Sequence, residues 1–157
     1  MGRVVELSEL KREISKIRKE KKKIVFTNGC FDILHLGHIH LLKKAKKLGD
    51  VLIIGLNSDS SVKKIKGEER PIKDENTRAQ ILASLEMVDF VVIFKEKTPL
   101  RLIKSIRPDV LVKGGDWKES EIVGADFVKS YKGKVKRIKY LKGHSTTQII
   151  KRIKGEG

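Results

Sequence analysis

Two histidines three residues apart, His35-Leu36-Gly37-His38, are the first candidates for chemistry in this chain. Imidazoles donate hydrogen bonds to phosphate oxygens, whether neutral or charged. Gly37 removes a side chain where a ligand would approach the backbone. Near the other end, Gly143-His144-Ser145-Thr146-Thr147 offers hydroxyls and amides at the start of a helical pattern. A helix N-terminus has unpaired N–H groups and a partial positive charge, which suits an anion. Between these stretches lie Lys63, Lys64 and Lys66, then Arg78, then Lys113-Gly114-Gly115-Asp116-Trp117. Plainer readings stand beside these. The histidines could be surface groups, the Ser/Thr run an ordinary cap, the lysines a solvated turn, Trp117 a core residue and Arg78 either a phosphate ligand or surface.

The elements that must position these groups follow from periodicity. Ile24 to Thr27 is a β-branched and aromatic run, ended by the turn signal Asn28-Gly29. Leu42, Ala45 and Leu48 then recur on one helical face, so the two histidines open a helix. Val51 to Leu56 is a near-continuous apolar run, the pattern of a strand buried on both faces. Ser60 to Lys66 reads as a short basic turn of helix, with its lysines on the loop after that strand, and Gly67 to Pro71 as a mobile surface loop. Asp74 caps a helix to about Glu86. Asp89 to Phe94 is a strand. Thr98-Pro99 supplies a cap and a first-turn proline for a helix holding Leu100, Ile103 and Ile106. Val110 to Val112 is a strand, Glu119 to Tyr131 a helix, Val135 to Leu141 a last strand and Ser145 to Ile153 a closing helix. Leu7, Leu10, Ile14 and Ile17 mark a leading amphipathic helix.

Alternating strands and helices imply right-handed βαβ units. The expected fold is α/β, a Rossmann-like, doubly wound, mostly parallel five-stranded sheet with helices on both faces. One domain over 1–157 is expected, with 1–23 a helix and basic lead-in and 24–153 the core. Segments 28–30, 57–59, 113–116 and 141–144 each follow a strand, so they should share one rim, where ligands of such sheets bind.

Composition narrows the class. The chain has 157 residues, enough for one core, with 39% hydrophobic and 36% charged residues. No apolar run is long enough for a membrane helix, and the charged N-terminus does not read as a secretory signal, so a cytoplasmic setting is expected. Cys30 is the only cysteine, which excludes an intrachain disulfide. The net charge of +16 invites a nucleic-acid reading. The basic residues are spread along the whole chain without an RNA-binding signature, so functional nucleic-acid binding is not expected.

Gly29-Cys30-Phe31-Asp32-Ile33-Leu34-His35-Leu36-Gly37-His38 resembles the His-x-Gly-His signature of the cytidylyltransferase-like nucleotidyltransferases. Ser145-Thr146-Thr147-Gln148-Ile149 resembles that superfamily's second motif, and two motifs in order are more specific than either alone. With Asn57-Ser58-Asp59, Lys66-Gly67-x-x-Arg70-Pro71 and Val112 to Asp116, residues 24–153 look like one branch, the D-glycero-β-D-manno-heptose 1-phosphate adenylyltransferases of ADP-heptose and lipopolysaccharide-core synthesis. That branch is often fused to a sugar kinase, for which this chain lacks room, so a stand-alone transferase is expected.

The resemblance implies ATP and a sugar 1-phosphate as substrates, with Mg2+ accompanying ATP. It casts His35, His38 and Lys66 as catalytic. It casts Gly29, Cys30, Phe31, Gly37, Asp116, Gly143, Ser145, Thr146 and Thr147 as nucleotide-binding, and Lys63 and Arg78 as phosphate- or substrate-binding. It leaves the metal ligands open; Asp32 could position a metal or orient the loop. Runner-up readings are a cytidylyltransferase acting on glycerol 3-phosphate or a phospho-alcohol, and an FAD synthetase of the same fold. A homodimer is expected, with no membrane contact.

Overall fold

All seven residues from Val51 to Asn57 are buried, as required of a strand flanked by strands and covered on both faces. In the computed structural model, which describes residues 2–156, this strand lies inside a six-stranded, all-parallel sheet. In chain order the elements are β1 (Arg3–Val4), α1 (Leu7–Lys19), β2 (Ile24–Gly29), α2 (Leu36–Lys46), β3 (Val51–Asn57), α3 (Asp59–Lys66), α4 (Glu75–Ala83) and β4 (Phe90–Phe94). Then come α5 (Leu100–Ile106), β5 (Val110–Gly114), a 3-10 turn (Glu119–Glu121), α6 (Ala125–Ser130), β6 (Lys134–Ile138) and α7 (Thr146–Ile153). Met1 and Gly157, the ends of the expected 1–157 domain, lie outside the described residues.

Strand alternation sorts the apolar side chains into two cores. Ile24, Phe26, Ile53 and Leu111 face one way and pack under Leu10, Ile14, Ile17, Ile103, Ile106 and Val128 of α1, α5 and α6. Val25, Leu52, Ile54 and Val112 face the other way, under Leu42 and Ala45 of α2 and Ala79 and Leu82 of α4.

The structure corrects several expectations. There are six strands, not five, because Arg3–Val4 pairs with β4 through Phe90 and Val91. Two residues are too few to show a period. The leading segment is therefore built into the sheet edge, and its helix covers the first core. The expected helix over 119–131 is broken by Gly124, whose φ of +89° is left-handed. A Cβ there would stand 2.8 Å from Ile103 Cδ1. Thr98 does not cap α5: Pro99 occupies the cap position, without a side-chain bond. The basic turn of helix expected over 60–66 is α3, so its lysines sit on a helix and not on a loop after β3; Ser58 caps it by accepting from the Ser61 amide. Asp74 caps α4 as expected, accepting from Thr77, and within the Ser/Thr run it is Ser145 that caps α7, accepting from Gln148.

The sheet order is β1-β4-β3-β2-β5-β6. Chain progression runs outward from β2 through β3 to β4, then restarts on the other side at β5. The order therefore reverses between β2 and β5, at their C-terminal ends, which is the switch point of an open α/β sheet.

Candidate active site

β2 pairs with β3 along its whole length, to Gly29–Leu56, but with β5 only at Val25–Val110 and Phe26–Leu111. Beyond that pair the two strands part, and a crevice opens at the switch point. Thr27 lies at its base, 1% exposed, with a hydroxyl that has no hydrogen-bond partner. Asn28, Gly29 and Cys30 leave β2 on one side, and Lys113 and Gly114 end β5 on the other.

The helix α2 begins at this crevice, with His35 as its cap. The Gly37 amide donates to His35 Nδ1 at 3.1 Å, and the His35 amide donates to His38 Nδ1 at 3.3 Å. A ring nitrogen that accepts carries no proton, so in each neutral imidazole the proton is on Nε2. The rings stack with centroids 3.9 Å apart, and the buried Phe31 ring supports His38 at 5.1 Å. Burial, then the charge of His35, pushes the His38 pKa down to about 4. Burial, then His144, lowers that of His35. Near neutral pH the pair is uncharged and presents two Nε2–H donors.

The far end of the chain closes on this pair. A Cβ on Gly37 would stand 2.8 Å from His35 Cε1 and 3.1 Å from the His144 carbonyl oxygen. Thr146 Oγ1 donates to the Ile33 carbonyl at 3.5 Å. Ser145 Oγ is taken by the Gln148 amide and the Ser145 carbonyl by the Ile149 amide. The amides of Thr146 and Thr147 are thus the first-turn donors of α7 left for a ligand. Gly143, at φ +81°, makes the turn that allows this approach.

Two buried groups hold the loops in place. Asp32 is 2% exposed and accepts from Arg70 Nε at 2.8 Å and from the amides of Ile72 and Lys73 at 2.8 and 2.9 Å. Burial alone would raise its pKa. The amides of Lys73 and Ile72 and the Arg70 side chain outweigh that and hold it below the usual carboxylate range. The segment from Gly67 to Pro71, expected to be mobile, is therefore pinned at Arg70, and both Asp32 oxygens are committed to residues 70–73. Arg78 is neither a surface residue nor, in this structure, free to meet a ligand. It is 1% exposed, and its guanidinium donates to the carbonyls of Lys73, Cys30 and Asn57 and to Asp59, each at 2.8 Å. That one side chain ties the ends of β2 and β3 to the starts of α3 and α4.

The remaining expected residues divide by exposure. Lys63 and Lys66 are exposed on α3. Lys66, Arg70, Thr147 and Lys151 line a cleft of about 410 Å³ between the 67–70 loop and α7. Cys30 is half-buried, and burial raises its thiol pKa against the nearby charges of Lys66, Arg78 and Arg70. The Phe31 ring belongs to the core, 6% exposed, and supports His38 from behind. Gly29 packs closely on that ring. Asp116 is exposed beside the partly exposed Trp117, whose Nε1 donates to the Gly114 carbonyl. Among the described residues no three His, Cys, Asp or Glu side chains gather as a metal cage.

Sequence reasoning did not assign the Asp32–Arg70 pair or the Arg78 clamp, although Asp32 and the Arg70-Pro71 motif were both visible. Strong hydrogen-bonding groups inside a glycine-rich motif were the available signal.

A family model described as cytidylyltransferase-like matches residues 26–152. The chain is 58% identical over 138 residues to the bifunctional protein HldE of Nitratiruptor sp., covering 88% of this chain and 29% of that protein. It is 59% identical over 132 residues to the HldE of Geobacter metallireducens, covering 84% and 27%. The chain thus spans under a third of the length of these relatives. It is similar to the crystal structure of a lipopolysaccharide core biosynthesis protein from Thermoplasma volcanium, with a TM-score of 0.64, 34% identity and coverage of 78% of this chain and 99% of that one. A pantoate-beta-alanine ligase from Francisella tularensis shares the fold, with a TM-score of 0.60 at 20% identity, covering 98% and 77%. No described helix is long and apolar enough to cross a membrane.

Proposed function

This chain belongs to the cytidylyltransferase-like family, and from that premise we propose that it transfers AMP from ATP to a sugar 1-phosphate, D-glycero-β-D-manno-heptose 1-phosphate, giving ADP-heptose and pyrophosphate. The observation that carries this is the meeting of the two motifs. The His35–His38 pair and the start of α7 meet through Gly37 and His144, and Thr146 reaches the Ile33 carbonyl just before the pair. Identity of 51–59% to proteins named HldE supports the choice of branch.

The acceptor's phosphate oxygen attacks the α-phosphorus of ATP in line, and the bond from that phosphorus to the bridging oxygen of pyrophosphate breaks. The attacking oxygen is already anionic, so no proton has to move. The protein's work is positioning and stabilising charge. His35 and His38 donate Nε2–H groups to the triphosphate, where charge grows as pyrophosphate leaves. The amides of Thr146 and Thr147 hold the β- and γ-phosphates. Lys63 and Lys66 screen repulsion between the two anions from α3. Asp116 receives ribose or base hydrogens. Arg78 acts as a positioning residue that fixes the rim. Its four protein acceptors replace the direct phosphate contact expected of it.

Mg2+ enters with ATP. Both Asp32 oxygens are occupied and no side-chain cage forms among the described residues. The ion would then be held mainly by the triphosphate it arrives with and would supply screening of the phosphate charge. A cytoplasmic setting and a homodimer complete the reading; light scattering of the purified chain tests the latter.

The test of substrate choice crosses ATP and CTP against heptose 1-phosphate and glycerol 3-phosphate and reads pyrophosphate. Release with ATP and the heptose alone is expected. Release with CTP and glycerol 3-phosphate overturns the substrate assignment.

A further inference from the structure

Lys113 ends β5 at the crevice and has no part in the roles assigned above. Strand alternation turns its side chain to the side of Leu111, away from α2 and its histidines. On the α2 side, by contrast, Gly114 lies under Leu41. Carried forward two residues, the β2–β5 register sets Lys113 beside Asn28, where the ladder has opened. Lys113 is half-buried. Its ammonium stands 5.0 Å from the centre of the Trp117 ring, which steadies the side chain. Among the described residues no carboxylate lies within ion-pair distance of it. A half-buried lysine without a counter-charge is a costly arrangement that an arriving anion relieves.

We propose that Lys113 receives the phosphate of the acceptor substrate, in the crevice between β2 and β5, with Lys66 on the other side of the same anion. The inference rests on the proposed transfer reaction and adds where its second substrate enters. In-line displacement needs the nucleophile and the leaving group on opposite sides of the α-phosphorus. The histidines and α7 hold the pyrophosphate side from the α2 face. A phosphate gripped by Lys113 comes from the other face of β2, through the gap left by the parted strands. The charges agree with this convergence. Burial lowers the Lys113 pKa, with Cys30 opposing and the charge of Lys66 adding to the lowering, so the two ammonium groups lie within electrostatic reach of each other.

Lys113→Met keeps the length and removes the charge, and Lys113→Arg restores the charge. With ATP and heptose 1-phosphate, Lys113→Met should raise the acceptor KM about 10- to 100-fold, the range for losing a hydrogen bond to a charged group. The ATP KM should stay within about twofold, and Lys113→Arg should recover part of the loss. An unchanged acceptor KM, or an ATP KM that rises in step, overturns the proposal. A binding arm separates this from failure of the substrate assignment. Inorganic phosphate is titrated calorimetrically into protein saturated with Mg2+ and α,β-methylene-ATP, which fills the triphosphate site. Wild-type protein should bind it and Lys113→Met should bind it at least about tenfold more weakly. Equal binding by both, or no binding by the wild type, also overturns it.

Discussion

His35 and His38 stack at 3.9 Å between ring centroids, and each uses Nδ1 to accept a backbone N–H at the start of α2. The backbone thus fixes the tautomer, which puts the proton of each neutral ring on Nε2 and leaves the proposed donors out of the helix cap. His38→Ala removes one of these donors. We expect kcat to fall about 10²- to 10³-fold, or roughly 3–4 kcal/mol of barrier, on the scale of other preorganised donors to developing charge. Circular dichroism should show the fold retained. Turnover near the wild-type value would remove the pair from the mechanism.

The same burial predicts a pH dependence of stability. His38 has a folded pKa of about 4 against an ordinary value of 6.5. Between those values the unfolded chain takes up a proton that the folded chain refuses, so stability falls as pH drops from 6.5 toward 4. His35 acts in the same direction. Asp32, held below its usual 3.8, adds stability that is lost only at still lower pH. Urea unfolding at pH 7, 5.5 and 4.5 should therefore give descending midpoints, with a shallower descent in His38→Asn. Midpoints rising toward pH 5 would contradict the neutral pair.

Asp32→Ala strands the Arg70 guanidinium and two loop amides. Breaking a buried pair from one side costs about 3–5 kcal/mol. Lys154→Ala, which breaks only the exposed 3.6 Å contact of Lys154 with Glu69, should cost no more than about 1 kcal/mol. Denaturant unfolding of the two variants checks the contrast. Equal small losses would mean that the 67–73 loop does not depend on Asp32.

Gly37→Ala tests the closeness of the two motifs. The added Cβ meets His35 and the His144 carbonyl, so the His35 ring must turn or the 143–145 segment must retreat. A displacement of this size at a positioning group can cost about 100-fold in rate. We expect kcat/KM for ATP to drop 10- to 100-fold, with a small change in melting temperature because the opposing segment is exposed. Wild-type kinetics would show that the approach of His144 to Gly37 plays no part in catalysis.

Much of this was legible in the sequence. The apolar run of β3, the caps Asp74 and Ser145 and the glycine-ended strands report local chemistry, and local chemistry survives folding. The two motifs were legible for the same reason, since each sits on one turn at one helix start. What escaped depends on distant partners. β1 is a strand only because Phe90 and Val91 lie beside it. Arg78 is a clamp only because four carbonyl or carboxylate oxygens from three other segments and its own helix lead-in converge on it. Asp32 becomes a loop anchor only through Arg70, Ile72 and Lys73. A side chain's type shows what it can bind, and the fold decides which partner it meets.

The central claim is transfer of the α-phosphoryl group, with its nucleoside, from ATP held between His35, His38 and α7. Phosphorus NMR of the reaction of ATP, Mg2+ and heptose 1-phosphate tests it most directly. A new sugar-linked diphosphate that contains the α-phosphorus of ATP is expected, with an equal amount of pyrophosphate, and both should form at least about 100-fold more slowly with His38→Ala. ADP with orthophosphate, or ADP with a doubly phosphorylated sugar, would place the bond cleavage at the γ-phosphorus and contradict the account.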